Sequence, residues 1–352
     1  MLKEIIAPHL KQITGKDDNS FSVKKLMGDA SNREYFRITQ ENGQVPSSLI
    51  LMKFQPENAF KSEEASGEMK LTELPFISVL KYLEAGGIRV PALYGADVKA
   101  GLVFLEDLGD IQVGTYVKDG DIEARRKWYR KAIDILIDFQ LHNSKSEDKD
   151  FIGYQREFDN ELLMWECEHY LEWGIEALYD TKLNSEERLQ IQKHFDKICK
   201  SLRELPQILV HRDFQSRNMM VLDGEELALI DFQDALVGPW PYDLVALLRD
   251  SYVDLQEELL DELIEYYCVK YEKAFACQVD KTAFMKAFYL QALQRKLKDS
   301  GRFVFIDRVK KNDSYLQFIP QSLSYVKHAF SKLPEYNDLQ MLLSRYEKRL
   351  AP

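Results

Sequence analysis

The feature that most constrains this chain is an interruption. From about residue 121 its apolar residues recur at helical spacing, yet residues 208–234 break that rhythm. Ile208-Leu209-Val210, Met219-Met220-Val221-Leu222 and Leu227-Ala228-Leu229-Ile230 are short apolar runs divided by polar loops, with the turn dipeptide Asp223-Gly224 between the second and third. Runs of that length bounded by turn residues read as strands. A small β-insert inside a helical lobe is expected. Around it the spacing predicts helices over 122–142, 156–178 and 185–203. The chain returns to helix beyond Pro241 to about residue 298, is less regular over 301–320, and ends in helices over 321–349.

The first third has a different texture. Phe36-Arg37-Ile38 and residues 48–54 read as strands separated by the turn signal Glu41-Asn42-Gly43. Residues 57–70 are a polar connection. Phe76, Ile77, Leu80 and Leu83 are spaced as one face of a helix over 73–85, which Gly86-Gly87 ends. Val90–Tyr94 reads as a short extended piece, and Gly101–Gly109 as a buried strand leaving into a linker. The expected architecture is α+β and bilobal: a small strand-rich lobe over 1–109 and a larger, mainly helical lobe over 110–352.

Composition narrows the function classes. Lys and Arg number 47 against 58 Asp and Glu, a net charge of −11, whereas non-specific nucleic-acid binding needs a basic footprint. No apolar run approaches the roughly 20 residues of a membrane span, and MLKEIIAPHLKQI has no signal-peptide core. Cys167, Cys199, Cys268 and Cys277 form no CxxC pair, so neither a zinc site nor a disulfide framework is indicated. A cytoplasmic protein without nucleic-acid or membrane partners is expected.

The loops of the β-insert carry the chemistry. Val210-His211-Arg212-Asp213-Phe214-Gln215-Ser216-Arg217-Asn218 contains H-x-D-x-x-x-x-N, and an apolar strand delivers Asp231 thirteen residues after the Asn. Phosphoryl transfer requires a carboxylate beside the accepting hydroxyl, and Asp213 stands where such a group belongs. It also requires Mg²⁺ between nucleotide phosphates, and magnesium prefers oxygen ligands in octahedral geometry. The Asn218 amide and the Asp231 carboxylate supply two, and the hairpin joining them can bring both to one end of the insert. Singly each is an ordinary loop residue. In this order, between apolar strands, they match the phosphoryl-transfer template.

The segment VHRDFQSRNMMV, continued by LALIDFQDALVGPWPYDLVALLRD, resembles the aminoglycoside phosphotransferase/choline kinase superfamily, which shares the protein-kinase-like fold. A narrower likeness is to the N-acetylmuramate/N-acetylglucosamine anomeric sugar kinases. It rests on Gly28–Arg37, on IDFQDALVGPWPYDL, and on Ala292–Lys298 followed by Gly301-Arg302-Phe303. The resemblance spans about residues 25–320 and implies ATP or GTP with Mg²⁺. It assigns the loop Gly28, Asp29, Ala30, Ser31 and Asn32 to the nucleotide phosphates, although the same residues also suit a plain hairpin turn. Lys53 is the implied phosphate-holding lysine. Phe76 occupies the position where many relatives carry its partner glutamate; Glu73, one turn away, is the substitute, with Glu63, Glu64 and Glu68 as alternatives. The Glu106 carbonyl and Leu108 N–H are the implied adenine contacts. His211 packs to hold the loop, and Asp243 braces it or begins a helix.

Acceptor selectivity is expected from the helical lobe. Glu161, Trp165, Trp173 and Asp250 suit a sugar, though aromatic residues at this spacing equally serve a core. An anionic amino sugar calls for a cation such as Arg217, Arg249 or Arg295. The favoured acceptor is the anomeric hydroxyl of N-acetylmuramate or N-acetylglucosamine; an aminoglycoside, choline or another small alcohol is the alternative. A nucleotide-binding pseudokinase module is the alternative of another class. Too few residues separate Asp231 from Pro241 for the long activation segment of a protein kinase.

Overall fold

The structure is a computed structural model describing residues 2–15, 20–26, 33–40, 46–56, 73–146, 148 and 150–352. Its small lobe is an antiparallel sheet of β1 (Phe21–Lys25), β2 (Glu34–Gln40), β3 (Ser48–Lys53), β4 (Leu93–Asp97) and β5 (Leu102–Glu106), in the order β1-β2-β3-β5-β4. Two-residue alternation divides its apolar side chains between two cores. Ile38, Leu49, Leu51, Leu102 and Phe104 gather with Ile6 and Leu10 of α1 (Leu2–Thr14). Met52, Val103 and Leu105 face the opposite way and join α2 (Pro75–Ala85) in the main core. β1 was not expected. It is an edge strand of sequence FSVKK in which Phe21 alone is buried, so it shows no apolar run.

The large lobe comprises α3 (Val113–Lys118), α4 (Ile122–Lys145), α5 (Asn160–His169), α6 (Ser185–Arg203), α7 (Tyr242–Leu248), α8 (Glu257–Phe275), α9 (Lys281–Lys310), α10 (Ile319–Lys332) and α11 (Asn337–Tyr346). Polar caps start several of them: the Asp121, Asp159 and Asp280 carboxylates accept from Ala124, Leu162 and Ala283 N–H. The β-insert is two hairpin-like pairs. β6 (Gln207–Val210) is antiparallel to β9 (Leu236–Pro239), and β7 (Met219–Val221) to β8 (Leu227–Leu229). No helix among the described residues is long and apolar enough to cross a membrane.

Helix α9 runs 30 residues, well past the expected end near residue 298. Gly301 reads as a breaker but acts as a contact. α5 continues into the π-helical segment Tyr170–Ala177, and α9 crosses it with Gly301 against the His169–Tyr170 backbone. A Cβ at 301 would lie 2.8 Å from the His169 carbonyl oxygen and 2.9 Å from Tyr170 Cα, closer than packed atoms sit. The crossing fixes α9, which carries the buried polar residues Gln291, Gln294, Arg295 and Lys296 behind the candidate site.

Gly301→Ala is expected to destabilise the protein by roughly 1–3 kcal/mol, the usual effect of overpacking. Helix propensity alone would give the opposite sign, so urea unfolding of this one variant separates the two.

Candidate active site

The stretch 211–218 is held by buried acceptors rather than by regular structure. Arg212, at φ 81°, takes a backbone conformation that non-glycine residues rarely adopt. Asp243, in the first turn of α7 and 1% exposed, accepts from the His211 N–H at 2.7 Å and the Arg212 N–H at 2.9 Å. Burial pushes the Asp243 carboxyl up to about 7, while those two N–H groups and Arg295 pull it back. Further along, the Ser216 N–H and hydroxyl donate to Asp250 Oδ2 at 3.1 and 2.6 Å. The Asp213 carbonyl accepts from the Gln215 N–H and from Asn218 Nδ2, both at 2.9 Å. His211 is buried edge-on against Phe214. Burial drives its imidazole down to about 4, neutral at physiological pH.

These bonds present Asp213 with its side chain 39% exposed. β7 and β8 pair Met219 with Leu229, and the Ile230 N–H donates to the Asn218 carbonyl at 3.0 Å. Asn218 and Asp231 therefore leave the same end of one hairpin. With Asn218 Nδ2 given to the loop, its amide oxygen is the remaining acceptor. Asp231 has φ 62° and keeps surface open to solvent, yet protein crowds it on most sides. That desolvation first, then the like charge of Asp213, pushes its carboxyl up to about 6; Gln233, whose Nε2 donates to Asp231 Oδ1 at 3.0 Å, opposes this. Two like-charged carboxylates beside an amide oxygen are a donor set suited to a hard divalent cation, which would relieve their repulsion.

The small lobe supplies the roof. Residues Gly28, Asp29, Ala30, Ser31 and Asn32 lie outside the described residues, as do Glu63, Glu64 and Glu68. Arg33, immediately after that loop, is near enough to favour the charged form of Asp231. Lys53 does not pair with Glu73. Its Nζ is 3.4 Å from Glu34, its register partner on β2, and Glu73 binds Lys81 at 2.5 Å. Glu73 precedes α2, where the α2 residue Lys81 meets it first. Phe76 of α2 instead meets Phe232, the residue after Asp231, with ring centroids 5.0 Å apart.

The segment between the lobes is tied on both sides. The Glu106 side chain is engaged by Arg89 at 2.5 Å and by the Ala92 N–H at 3.0 Å. Leu108 packs with Met220 and Ala228 of the β7–β8 hairpin. Arg37, to which no role was assigned from sequence, reaches from β2 to Asp107 at 2.7 Å and to Asp110 at 2.8 Å.

At the acceptor end, two expectations require correction. Arg249 is 1% exposed and held bidentately by Glu257 at 2.9 and 3.0 Å, and Asp250 is spent on Ser216 and on the Tyr252 N–H. Asp250 supports the loop from inside, and Arg249 ties the end of α7 to the start of α8. Glu161 is exposed in the first turn of α5. Arg217 lies across the Tyr252 ring at 3.7 Å. Trp165 is 39% exposed and stacked on His169, while Trp173 meets Phe305 edge-on. Arg295, 1% exposed, places Nη2 at 3.2 Å from Asp213 Oδ1.

Comparison with known proteins gives concordant findings. Residues 22–277 match a family described as the phosphotransferase enzyme family. An N-acetylmuramate/N-acetylglucosamine kinase of Neisseria meningitidis is 30% identical over 93% of this chain and 91% of its own. The protein of the same description in Pseudomonas aeruginosa is 28% identical over 90% of this chain and 86% of its own. A choline kinase from Streptococcus pneumoniae superposes with a TM-score of 0.61 at 16% identity, covering 95% of this chain and 99% of that one.

Replacing Asp243 by Ala strands two buried N–H groups, at about 1–3 kcal/mol each. Asp243→Asn retains one acceptor and should lose about half as much. Urea unfolding of the pair checks this; equal stability of Asp243→Ala and the parent would remove the brace.

Proposed function

Because the chain belongs to the phosphotransferase enzyme family and transfers phosphate to an alcohol, we propose that its acceptor is an N-acetylated amino sugar phosphorylated at the anomeric hydroxyl, with ATP or GTP as donor. The observation that carries the acceptor class is the set of amino-sugar kinases at 30 and 28% identity along nine-tenths of the chain. The loop geometry supports the reaction type.

In this reading Asp213 receives the sugar hydroxyl and orients its oxygen toward the γ-phosphorus. Phosphoryl transfer passes through a loose transition state, so alignment and charge stabilisation account for most of the rate. The Asn218 amide oxygen and the Asp231 carboxylate would hold Mg²⁺, which neutralises charge on the phosphates. Lys53 exchanges Glu34 for a phosphate oxygen. The backbone at Glu106 and Leu108 receives the adenine edge. Of the arginines suited to the carboxylate of N-acetylmuramate, Arg249 and Arg295 are buried on Glu257 and Asp213, whereas Arg217 stands in the loop itself, between Asp213 and Asn218, half-buried against Tyr252.

Three measurements test this. In a coupled-ADP screen, N-acetylmuramate and N-acetylglucosamine should be turned over ahead of choline and aminoglycosides, with phosphorus NMR placing the phosphate at C1; preference for choline would refute the acceptor class. Asp213→Ala should lower kcat by roughly 10²–10⁴-fold with nucleotide affinity kept. Arg217→Ala should raise KM for N-acetylmuramate more than for the uncharged N-acetylglucosamine.

A further inference from the structure

The cations on the middle of α9 are each given a different carboxylate. Lys296 Nζ binds Asp299 Oδ2 at 2.5 Å, and Lys298 Nζ lies 3.8 Å from Glu166. Arg295 is turned to Asp213, whose Oδ1 it meets through Nη2 at 3.2 Å. The guanidinium is 1% exposed, its face lies 4.8 Å from the Tyr242 ring, and Nε and Nη1 have no hydrogen-bond partner. A buried guanidinium with two nitrogens unpaired is an expensive way to stabilise a fold, and an apolar side chain of similar volume would serve packing as well or better. Its one hydrogen bond goes to the carboxylate that faces the cleft, and Asp213 Oδ2 is left without a partner among the described residues.

We propose that Arg295 is a positioning residue for the transfer step: it pins Asp213 through Oδ1 from below, so that Oδ2 is the oxygen presented to the acceptor hydroxyl. This rests on the reading of Asp213 as the hydroxyl-orienting group. The backbone of the loop is held by direct hydrogen bonds to Asp243, Asp250 and Asn218, none of them made by Arg295, so what Arg295 alone fixes by a bond is the Asp213 carboxylate's rotamer. Misplacement of a reacting group by about 1 Å can cost on the order of 10²-fold in rate.

The test uses the full-length enzyme with ATP, Mg²⁺ and the amino sugar that it turns over, comparing Arg295→Ala, Arg295→Lys and Asp213→Ala. Arg295→Ala should lower kcat by about 10–100-fold with the KM for ATP within twofold of the parent. The ratio of sugar phosphorylated to ATP hydrolysed should fall, and added guanidinium or ethylguanidinium at non-denaturing millimolar concentration should restore part of kcat. Arg295→Lys should retain more turnover than Arg295→Ala; if the Ala variant does not fold, the Lys variant supplies the kcat, KM and coupling-ratio comparison against the parent. Unchanged kcat and coupling ratio in a folded Arg295 variant, with Asp213→Ala inactive, would overturn the positioning role alone. Parent-like turnover by Asp213→Ala would overturn it together with the reading beneath it. Loss of kcat with a parallel loss of ATP binding and no rescue would make Arg295 merely structural.

Discussion

One buried carboxylate holds the stretch 211–218 in shape. The sharp turn at Arg212 brings two backbone N–H groups into the protein interior, where water cannot satisfy them. Asp243 satisfies both, and because it stands in the first turn of α7, the turn is locked to the large lobe. Everything downstream inherits that placement. Asp213 is aimed from a fixed loop, Asn218 closes back on the Asp213 carbonyl, and β7 begins in a defined direction. Asp250 repeats the device at Ser216. The stretch 211–216 is thus fastened at both ends by buried acidic side chains.

Much of the frame was legible because it obeys simple periods. The helix predicted over 185–203 is α6 residue for residue, since its apolar stripe is a local signal. The Asp223-Gly224 hairpin formed for the same reason: Gly224 sits at φ 72°, where a side chain is disfavoured. What escaped was non-local. β9 is four residues whose strand character comes from pairing with β6, and β1 is an edge strand. α9 reads as ending near 298 because glycine and polar residues cluster there. Those are the residues that meet His169, Glu166 and Asp213 across the lobe.

The same division runs through the candidate site. Asp213, Asn218 and Asp231 could be found by spacing, because the constraint between them is a short loop and a hairpin. Arg249 and Asp250 could not be assigned by spacing. They sit at the end of α7 within a polar stretch, and only the fold shows that Glu257 and Ser216 engage them. Lys53 illustrates the limit of transferring a pattern. Its strand position is the expected one, but Glu73 is taken by Lys81, and among the described residues it is the register partner Glu34 that meets Lys53. Arg295 was legible as a candidate cation for an anionic acceptor, and only the fold turns it to Asp213.

The Arg37 bridge bears on how the two halves move. By gripping Asp107 and Asp110, it makes the connecting strap an extension of the five-stranded sheet. The strap's far end is tied as well, through the Val221 N–H bond to the Ile111 carbonyl. Any rotation of the sheet against the β7–β8 hairpin therefore carries the strap with it or breaks one of these two attachments.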